Sequence, residues 1–383
     1  MKKKVCIITS SYPQKKYQHA TARDFALLLQ KEDCKVKVLA MARGNSRVEN
    51  DEISVEFIPW IGSTDQPLDI YNPKNPIHAI KLISFFVSGI IKTLKVIKKS
   101  EADYCFAMWA IPSGIFALVS KIFLGVPYAT WSLGSDIWDI EKIPLGKMIL
   151  KKILRNADHL YADGIELSKD VEKIGGKHCE FMASNRIFDT SIKKIDYDKF
   201  DDNKKNFIFL GRYHHHKGID IMINAISKLN KDEKQKSLFH IFGMPGPEEE
   251  KIKKMVKNLE LDSVVFVNQA IPANEVFSYL KKSYALIIPS RIESIPVVFC
   301  NGVEADIPLI ATSVGDMGEL IQEYNVGLTV SPNAEDISKS IQIMLSYDEI
   351  DLNKFKKGRS QLKKYLSMQR SVEMLLSNIK SKK

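Results

Sequence analysis

A chain of 383 residues is too long for one ordinary core and suits two domains, each of fewer than about 200 residues. Its 45% hydrophobic content excludes a disordered chain, and its five cysteines (Cys6, Cys34, Cys105, Cys179 and Cys300) lack the paired spacing of a zinc site or disulfide framework, which fits a reducing cytosol. The net charge of +10 calls for an anionic partner or a solvated basic surface.

Along the chain, Lys2, Lys3 and Lys4 precede an apolar run over 5–9 that ends at polar Ser10 and Ser11. The run is too short for a signal peptide and reads as a first strand. A helix follows over 20–31, with Phe25, Leu28 and Leu29 inward, then strands over 35–39 and 53–58. A helix over 77–98, a strand over 104–108, a helix over 114–123 and strands at 128–131 and 161–162 complete the first half. Strands alternating with helices imply a parallel sheet with crossover connections. Residues 188–206, rich in Asp and Lys and without helical periodicity, suit a linker. A second alternating unit runs from Phe207 to about Leu345, and 351–379 reads as helix.

Basic residues cluster in two segments. Lys81, Lys92, Lys95, Lys98 and Lys99 punctuate 77–99, and Lys142, Lys147, Lys151, Lys152 and Arg155 punctuate the neighbourhood of 143–160. The apolar stretch at 82–91 is far short of the roughly 20 residues a spanning helix needs. Two readings stand: helices lying on an anionic membrane surface, or helices packed on their own sheet with a solvated lysine face. No nucleic-acid partner is expected, because aromatic residues do not interleave with the basic clusters. His214, His215 and His216 are adjacent on a turn, with no second His or Cys cluster at ligand spacing, so no metal is expected. No G-x-G-x-x-G follows any candidate strand, which excludes a dinucleotide oxidoreductase.

Two turns carry the chemistry. Phe207-Ile208-Phe209-Leu210 runs into Gly211-Arg212 and then Lys217-Gly218, followed by Ile221, Ile223, Ala225 and Ile226 at helical spacing. Arg212 and Lys217 have the chemistry for a diphosphate, a guanidinium fork and a compact ammonium, and are otherwise solvated surface. Tyr284-Ala285-Leu286-Ile287-Ile288 runs into Pro289-Ser290-Arg291-Ile292-Glu293 and then the mostly apolar start of a helix at Val297. A helix N-terminus at the carboxyl edge of a parallel sheet suits phosphate. A carboxylate beside it would be repelled by phosphate alone, so Glu293 points to a hydroxylated group next to the phosphate, as in a sugar nucleotide, or else it caps the helix.

The order of Gly211-Arg212, Lys217-Gly218, His240-Ile241-Phe242-Gly243-Met244-Pro245-Gly246-Pro247, Val264-Val265-Phe266-Val267, Pro289-Ser290, Glu293 and Pro308-Leu309-Ile310-Ala311-Thr312-Ser313-Val314-Gly315 resembles the donor-binding domain of retaining glycosyltransferases of the GT-B fold. Within that fold it looks like glycosyltransferase family 4. The resemblance is strong over about 206–320 and loose elsewhere. It implies an α/β protein of two Rossmann-like domains facing each other across a cleft. Residues 1–190, with a C-terminal helix at about 366–383 crossing back, would bind the acceptor, and 205–365 the nucleotide-sugar donor.

Site roles follow from the resemblance. Arg212 and Lys217 would neutralise the departing diphosphate, with the backbone N–H groups of Val297 and Val298 on the same phosphates and Glu293 accepting from sugar hydroxyls. Ile271 lies in the loop, 267–272, that faces the base. With two cations and a helix end in place of a metal, no divalent ion or other cofactor is expected. Retention by front-face attack needs no enzyme nucleophile. On the acceptor side, Trp109 would stack on a sugar or sit in the core, and Gly134 and Asp136 would line the pocket unless Asp136 is a plain N-cap.

Three departures stand out. Asn301 occupies the place of the family's second Glu, which holds the ribose, with Glu304 the nearest acid. Leu133 replaces a sugar-contacting His in Ser132-Leu133-Gly134-Ser135-Asp136, and residues 10–22 lack the usual glycine pair. The expected function is transfer of a hexose or N-acetylhexosamine from a nucleotide sugar, UDP-linked ahead of GDP-mannose. The acceptor would be a glycan or lipid-linked molecule in surface polysaccharide or glycolipid assembly, handled in the cytoplasm by a protein peripheral to the membrane. The alternatives are a catalytically silent scaffold or nucleotide-sugar-binding partner, motivated by the departures, and a nucleotide-sugar epimerase.

Overall fold

Strand residues of alternating direction bury both faces of a parallel sheet only if helices cover both, and the chain does this twice. The computed structural model describes residues 2–10, 12–13, 21–41, 52–62, 71–72, 74–140, 143–185 and 187–380. Most of the 10–22 loop, including His19 and Ala20, lies outside the described residues, as does Lys142. Two compact units result, 1–187 with 367–383, and 188–366.

The first unit runs β1 (Lys4–Thr9), α1 (Thr21–Lys31), β2 (Lys35–Met41), β3 (Ser54–Ile58), α2 (Pro76–Ser100), β4 (Tyr104–Met108), α3 (Ser113–Leu124) and β5 (Tyr128–Ser132). It continues with α4 (Ser135–Trp138), α5 (Pro144–Asn156), β6 (His159–Ala162), α6 (Ile165–Gly175) and β7 (Cys179–Phe181). All seven strands are parallel, in the order β3-β2-β1-β4-β5-β6-β7. Cys6, Ile8, Cys105 and Ala107 point to one core with Phe85, Phe116, Leu150 and Leu167 from α2, α3, α5 and α6. Val5, Ile7, Tyr104 and Phe106 point to the other, with Phe25 and Leu29 from α1.

The second unit runs β8 (Lys205–Arg212), α7 (Ile219–Ser227), α8 (Lys231–Gln235), β9 (Ser237–Met244), α9 (Glu249–Asn258), β10 (Val265–Gln269), α10 (Val276–Lys282) and β11 (Ala285–Ile288). Then come α11 (Val297–Glu304), β12 (Leu309–Thr312), α12 (Met317–Tyr324), β13 (Gly327–Val330), α13 (Ala334–Ser346), α14 (Glu349–Asn353) and α15 (Lys356–Tyr365). Its sheet is also all parallel, ordered β10-β9-β8-β11-β12-β13. Among the described residues no helix is long and apolar enough to cross a membrane.

Two sequence readings need correction. The segment 351–379 is not one helix, because the chain turns at Leu366 and Ser367. There the Ser367 hydroxyl accepts from the Arg370 N–H at 3.2 Å and starts α16 (Met368–Lys380). That last helix packs in the first unit, where Ser371 Oγ donates to the Ala183 carbonyl at 3.1 Å and Asn378 Nδ2 to Glu180 at 2.6 Å. The segment 188–206 is a packed strap, not a free linker. The Phe188 ring lies 5.7 Å from Phe277, the Lys193 N–H donates to Ser278 Oγ at 2.7 Å, and the Phe200 ring lies 4.5 Å from His240.

His240 anchors that strap. Its Nε2–H donates to Asn206 Oδ1 and its Nδ1 accepts from the Tyr197 hydroxyl, each at 2.9 Å, a network that fits the neutral ring. Burial pushes its pKa down to about 4. The unfolded chain therefore binds an extra proton between about pH 6.5 and 4, so this contribution is full above the unfolded value and is lost as pH falls toward the folded one. Up to on the order of 3 kcal/mol is at stake. Thermal unfolding should show His240→Gln losing less stability than the wild type between about pH 7 and pH 5; parallel losses would remove the ring as the cause.

Candidate functional site

β8 and β11 are neighbours whose onward connections go opposite ways, to β9 and β10 on one side and to β12 and β13 on the other. Loops leaving the carboxyl ends of such a pair part and leave a crevice between them. After β8 come Tyr213, a single 3₁₀ turn at His215–Lys217 and Gly218, and after β11 comes the turn from Pro289 to Pro296 that leads into α11.

The two loops are fastened together. The Arg291 N–H donates to the His216 carbonyl at 2.7 Å, and its guanidinium reaches the His215 carbonyl at 2.8 Å. The same guanidinium grips both Asp220 oxygens, each at 2.8 Å. Burial raises the Asp220 carboxyl, but Arg291 more than offsets this and holds it below the usual carboxylate range. Lys217 Nζ pairs with Glu293 Oε1, with both side chains largely buried. Thr312 Oγ1, at the end of β12, donates to the Ser290 carbonyl at 2.6 Å.

Two glycines let these backbones meet. Gly218 has φ +65°, and a Cβ there would stand 1.9 Å from the Pro289 carbonyl oxygen. Gly315 has φ +56°, and its Cβ would stand 2.2 Å from the Glu293 carbonyl oxygen. No side chain of ordinary chirality fits either position without moving the turn that carries Glu293.

The sequence-derived residues of the second unit are brought together only in part. Lys217 and Glu293 touch, and Val297 and Val298 open α11 only a few residues further on, where no side chain caps the helix. Arg212 ends β8, is exposed, and makes no side-chain hydrogen bond or ion pair among the described residues. Asn301 is half-buried on α11, and Glu304 does not substitute for an acid there: its carboxylate pairs with Lys363 of α15 at 2.8 Å. Ile271 stands apart, half-buried in the loop after β10, two strands from β8.

In the first unit, Trp109 follows β4 next to β1, where that sheet also reverses its order. It holds φ +71°, donates its N–H to the Trp131 carbonyl at 2.9 Å, and is half-buried against the core. So large a residue in the left-handed region is an outlier of the kind that gathers at functional sites. Gly134 has φ +107°, and its Cβ would crowd the Trp138 ring at 3.2 Å. Asp136 is buried with its oxygens occupied, accepting from the Ala110 N–H at 2.5 Å and the Leu133 N–H at 3.0 Å. Burial pushes its carboxyl up to about 6 against the lowering effect of these amides. It therefore braces the β4 and β5 loops against each other.

Sequence reasoning missed the Arg291 fork, because Asp220 is 71 residues away, and it missed what Gly218 and Gly315 are for. Positive φ at a glycine leaves no mark in a single sequence. Gly218→Ala and Gly315→Ala should each lower stability in urea unfolding by about 2–4 kcal/mol. Gly176→Ala, at φ +69° with nothing within 4 Å, should cost only about 1 kcal/mol. Equal losses at all three would show that the close approach contributes nothing.

Residues 192–361 match the family model described as glycosyl transferases group 1. The sequence is 25% identical over 287 residues to an uncharacterized glycosyltransferase of Methanocaldococcus jannaschii, covering 74% of this chain and 77% of that relative. It is 23% identical over 273 residues to a putative teichuronic acid biosynthesis glycosyltransferase of Bacillus subtilis, covering 66% of this chain and 64% of that one. The structure resembles that of Anabaena HepE in complex with UDP, with a TM-score of 0.74, 13% identity and 100% of each chain covered. Residues 192–361 thus resemble glycosyl transferases group 1, and the chain is built on the GT-B fold.

Proposed function

We propose that this chain transfers a hexose or N-acetylhexosamine from a nucleoside diphosphate sugar to a glycan or lipid-linked acceptor, with retention of anomeric configuration and without a divalent metal. The observation that carries this reading is the Lys217–Glu293 pair at the reversal point of the second sheet, with Arg212 at the end of β8 and the uncapped start of α11 a few residues after Glu293. An ammonium, a guanidinium and a helix N-terminus together suit a diphosphate, and one adjoining carboxylate suits the hydroxyls of its sugar.

The pair also gives a binding sequence. In the free protein Glu293 holds Lys217 where the diphosphate is to arrive. The diphosphate competes for the ammonium, and the released carboxylate is then free to accept from the sugar hydroxyls. Arg212 and Lys217 oppose the charge that grows on the diphosphate as the glycosidic bond breaks, the main electrostatic demand of the step. The sugar's anomeric carbon passes to the acceptor oxygen, whose proton leaves on the diphosphate.

A UDP-sugar is favoured over GDP-mannose, in keeping with the UDP held by HepE. A role in surface polysaccharide or glycolipid assembly, at the cytoplasmic face of the membrane, is in keeping with the teichuronic acid relative. Trp109, at its strained backbone position, is the residue we assign to acceptor contact, with Gly134 and Asp136 shaping the loops around it. Asn301 favours one second reading, a nucleotide-sugar-binding partner without turnover.

The test is release of UDP or GDP from a panel of nucleotide sugars in chelator, with and without acceptor extracts, and assignment of product anomers by NMR. Acceptor-dependent release from one donor, with retention, is the expected result. Arg212→Ala and Lys217→Ala should each lower kcat by about 10²–10³. Binding without turnover for every donor and acceptor would favour the silent partner, and an absolute metal requirement or inversion would overturn those parts of the reading.

A further inference from the structure

α2 buries Phe85, Gly89, Thr93, Val96 and Ile97, and a helix packed on its own sheet would then turn a polar face outward. Instead Ile77, Ile80, Ile83, Val87 and Ile91 stand there, 50% to 64% exposed. The outward stripe continues as exposed Lys95 and Lys98, with Lys99 beside them. α5 repeats the plan on a smaller scale. Ile143, Leu145 and Met148 are 54% to 63% exposed, and exposed Lys151, Lys152 and Arg155 follow.

The two helices belong to one layer, since both pack on the same face of the first sheet with α3 between them. Each runs antiparallel to the strands it connects, so the apolar halves of both lie toward the carboxyl edge of the sheet and the basic halves toward the other. α2 holds five lysines and α5 four basic residues, with no acid in either. Those nine charges nearly equal the net +10 of the whole chain. Lys92 is paired with Glu56 at 2.6 Å and Lys81 lies over the Tyr71 ring, whereas Lys95, Lys98, Lys99, Lys151 and Lys152 have no acid partner among the described residues.

We propose that the outer faces of α2 and α5 together dock on an anionic lipid bilayer, the isoleucines entering the interface and the lysines meeting headgroup phosphates. A second copy of the chain is a poor occupant, because an isologous contact would set nine positive charges against the same nine. In its bearing on a lipid-linked acceptor the inference rests on the transferase reading, but bilayer binding is measured without donor, acceptor or turnover.

The experiment is flotation of the full chain with phosphatidylcholine vesicles that contain or lack phosphatidylglycerol, at low and high salt. The protein should float with the anionic vesicles at low salt and be released by salt or by omission of the anionic lipid. Lys95→Gln, Lys98→Gln and Lys99→Gln combined should weaken binding roughly 100-fold, at about fivefold for each lysine. Ile80→Asp with Ile83→Asp should abolish it. All these positions are exposed, so thermal unfolding and UDP titration of the variants should match the wild type, which separates loss of docking from loss of fold or of the donor site. Failure of the wild type to float with anionic vesicles would overturn the proposal, as would undiminished binding of either variant. So would a dimer in sedimentation equilibrium that Ile80→Asp dissociates.

Discussion

The turn from Pro289 to Glu293 stays where it is because two glycines approach it to within the space a methyl group would occupy. Gly218 lies against the Pro289 carbonyl and Gly315 against that of Glu293, each in the left-handed region. Such contacts fix backbone against backbone, so the position of Glu293 does not depend on the rotamers of long side chains. Arg291 adds the fastening that glycine cannot, gripping Asp220 with two parallel hydrogen bonds and the His215 and His216 carbonyls with two more. Lys217 is thereby delivered to Glu293 from a different loop. A loop-built site gains rigidity in this way.

Charge is distributed with similar economy. The second unit keeps a cation and a carboxylate in contact at one end of its sheet, and in the proposed reading an incoming diphosphate would exchange partners with a charge already present. The first unit buries Asp136 among backbone amides, where the carboxylate serves as a brace. The excess positive charge is carried outside both arrangements, on two helices of one layer.

Much of this was legible in the sequence, and the reasons differ between elements. Central strands such as 104–108 and 285–288 read clearly because both faces are buried and the apolar run is continuous. Arg212, Lys217 and Glu293 of the second-unit site were found because strand, turn and helix start follow one another within a few residues. The strap at 188–206 was misread because its Asp and Lys content hid three aromatic anchors, Phe188, Tyr197 and Phe200, that pack on residues far along the chain. β7 escaped notice because its three residues carry too little pattern to stand out. The apolar outer stripe of α2 was invisible for a different reason. Periodicity reports that a helix is hydrophobic on several sides, and only burial tells which side faces out.

The account turns on Glu293 competing with a diphosphate for Lys217, and calorimetric titration of UDP into the wild type, Glu293→Gln and Lys217→Ala tests that directly. The predicted result is that Lys217→Ala loses UDP affinity, whereas Glu293→Gln binds UDP at least as tightly as the wild type, because the ammonium no longer has to leave a carboxylate. If Glu293→Gln instead loses UDP binding along with Lys217→Ala, the carboxylate is not a competitor and the exchange is contradicted.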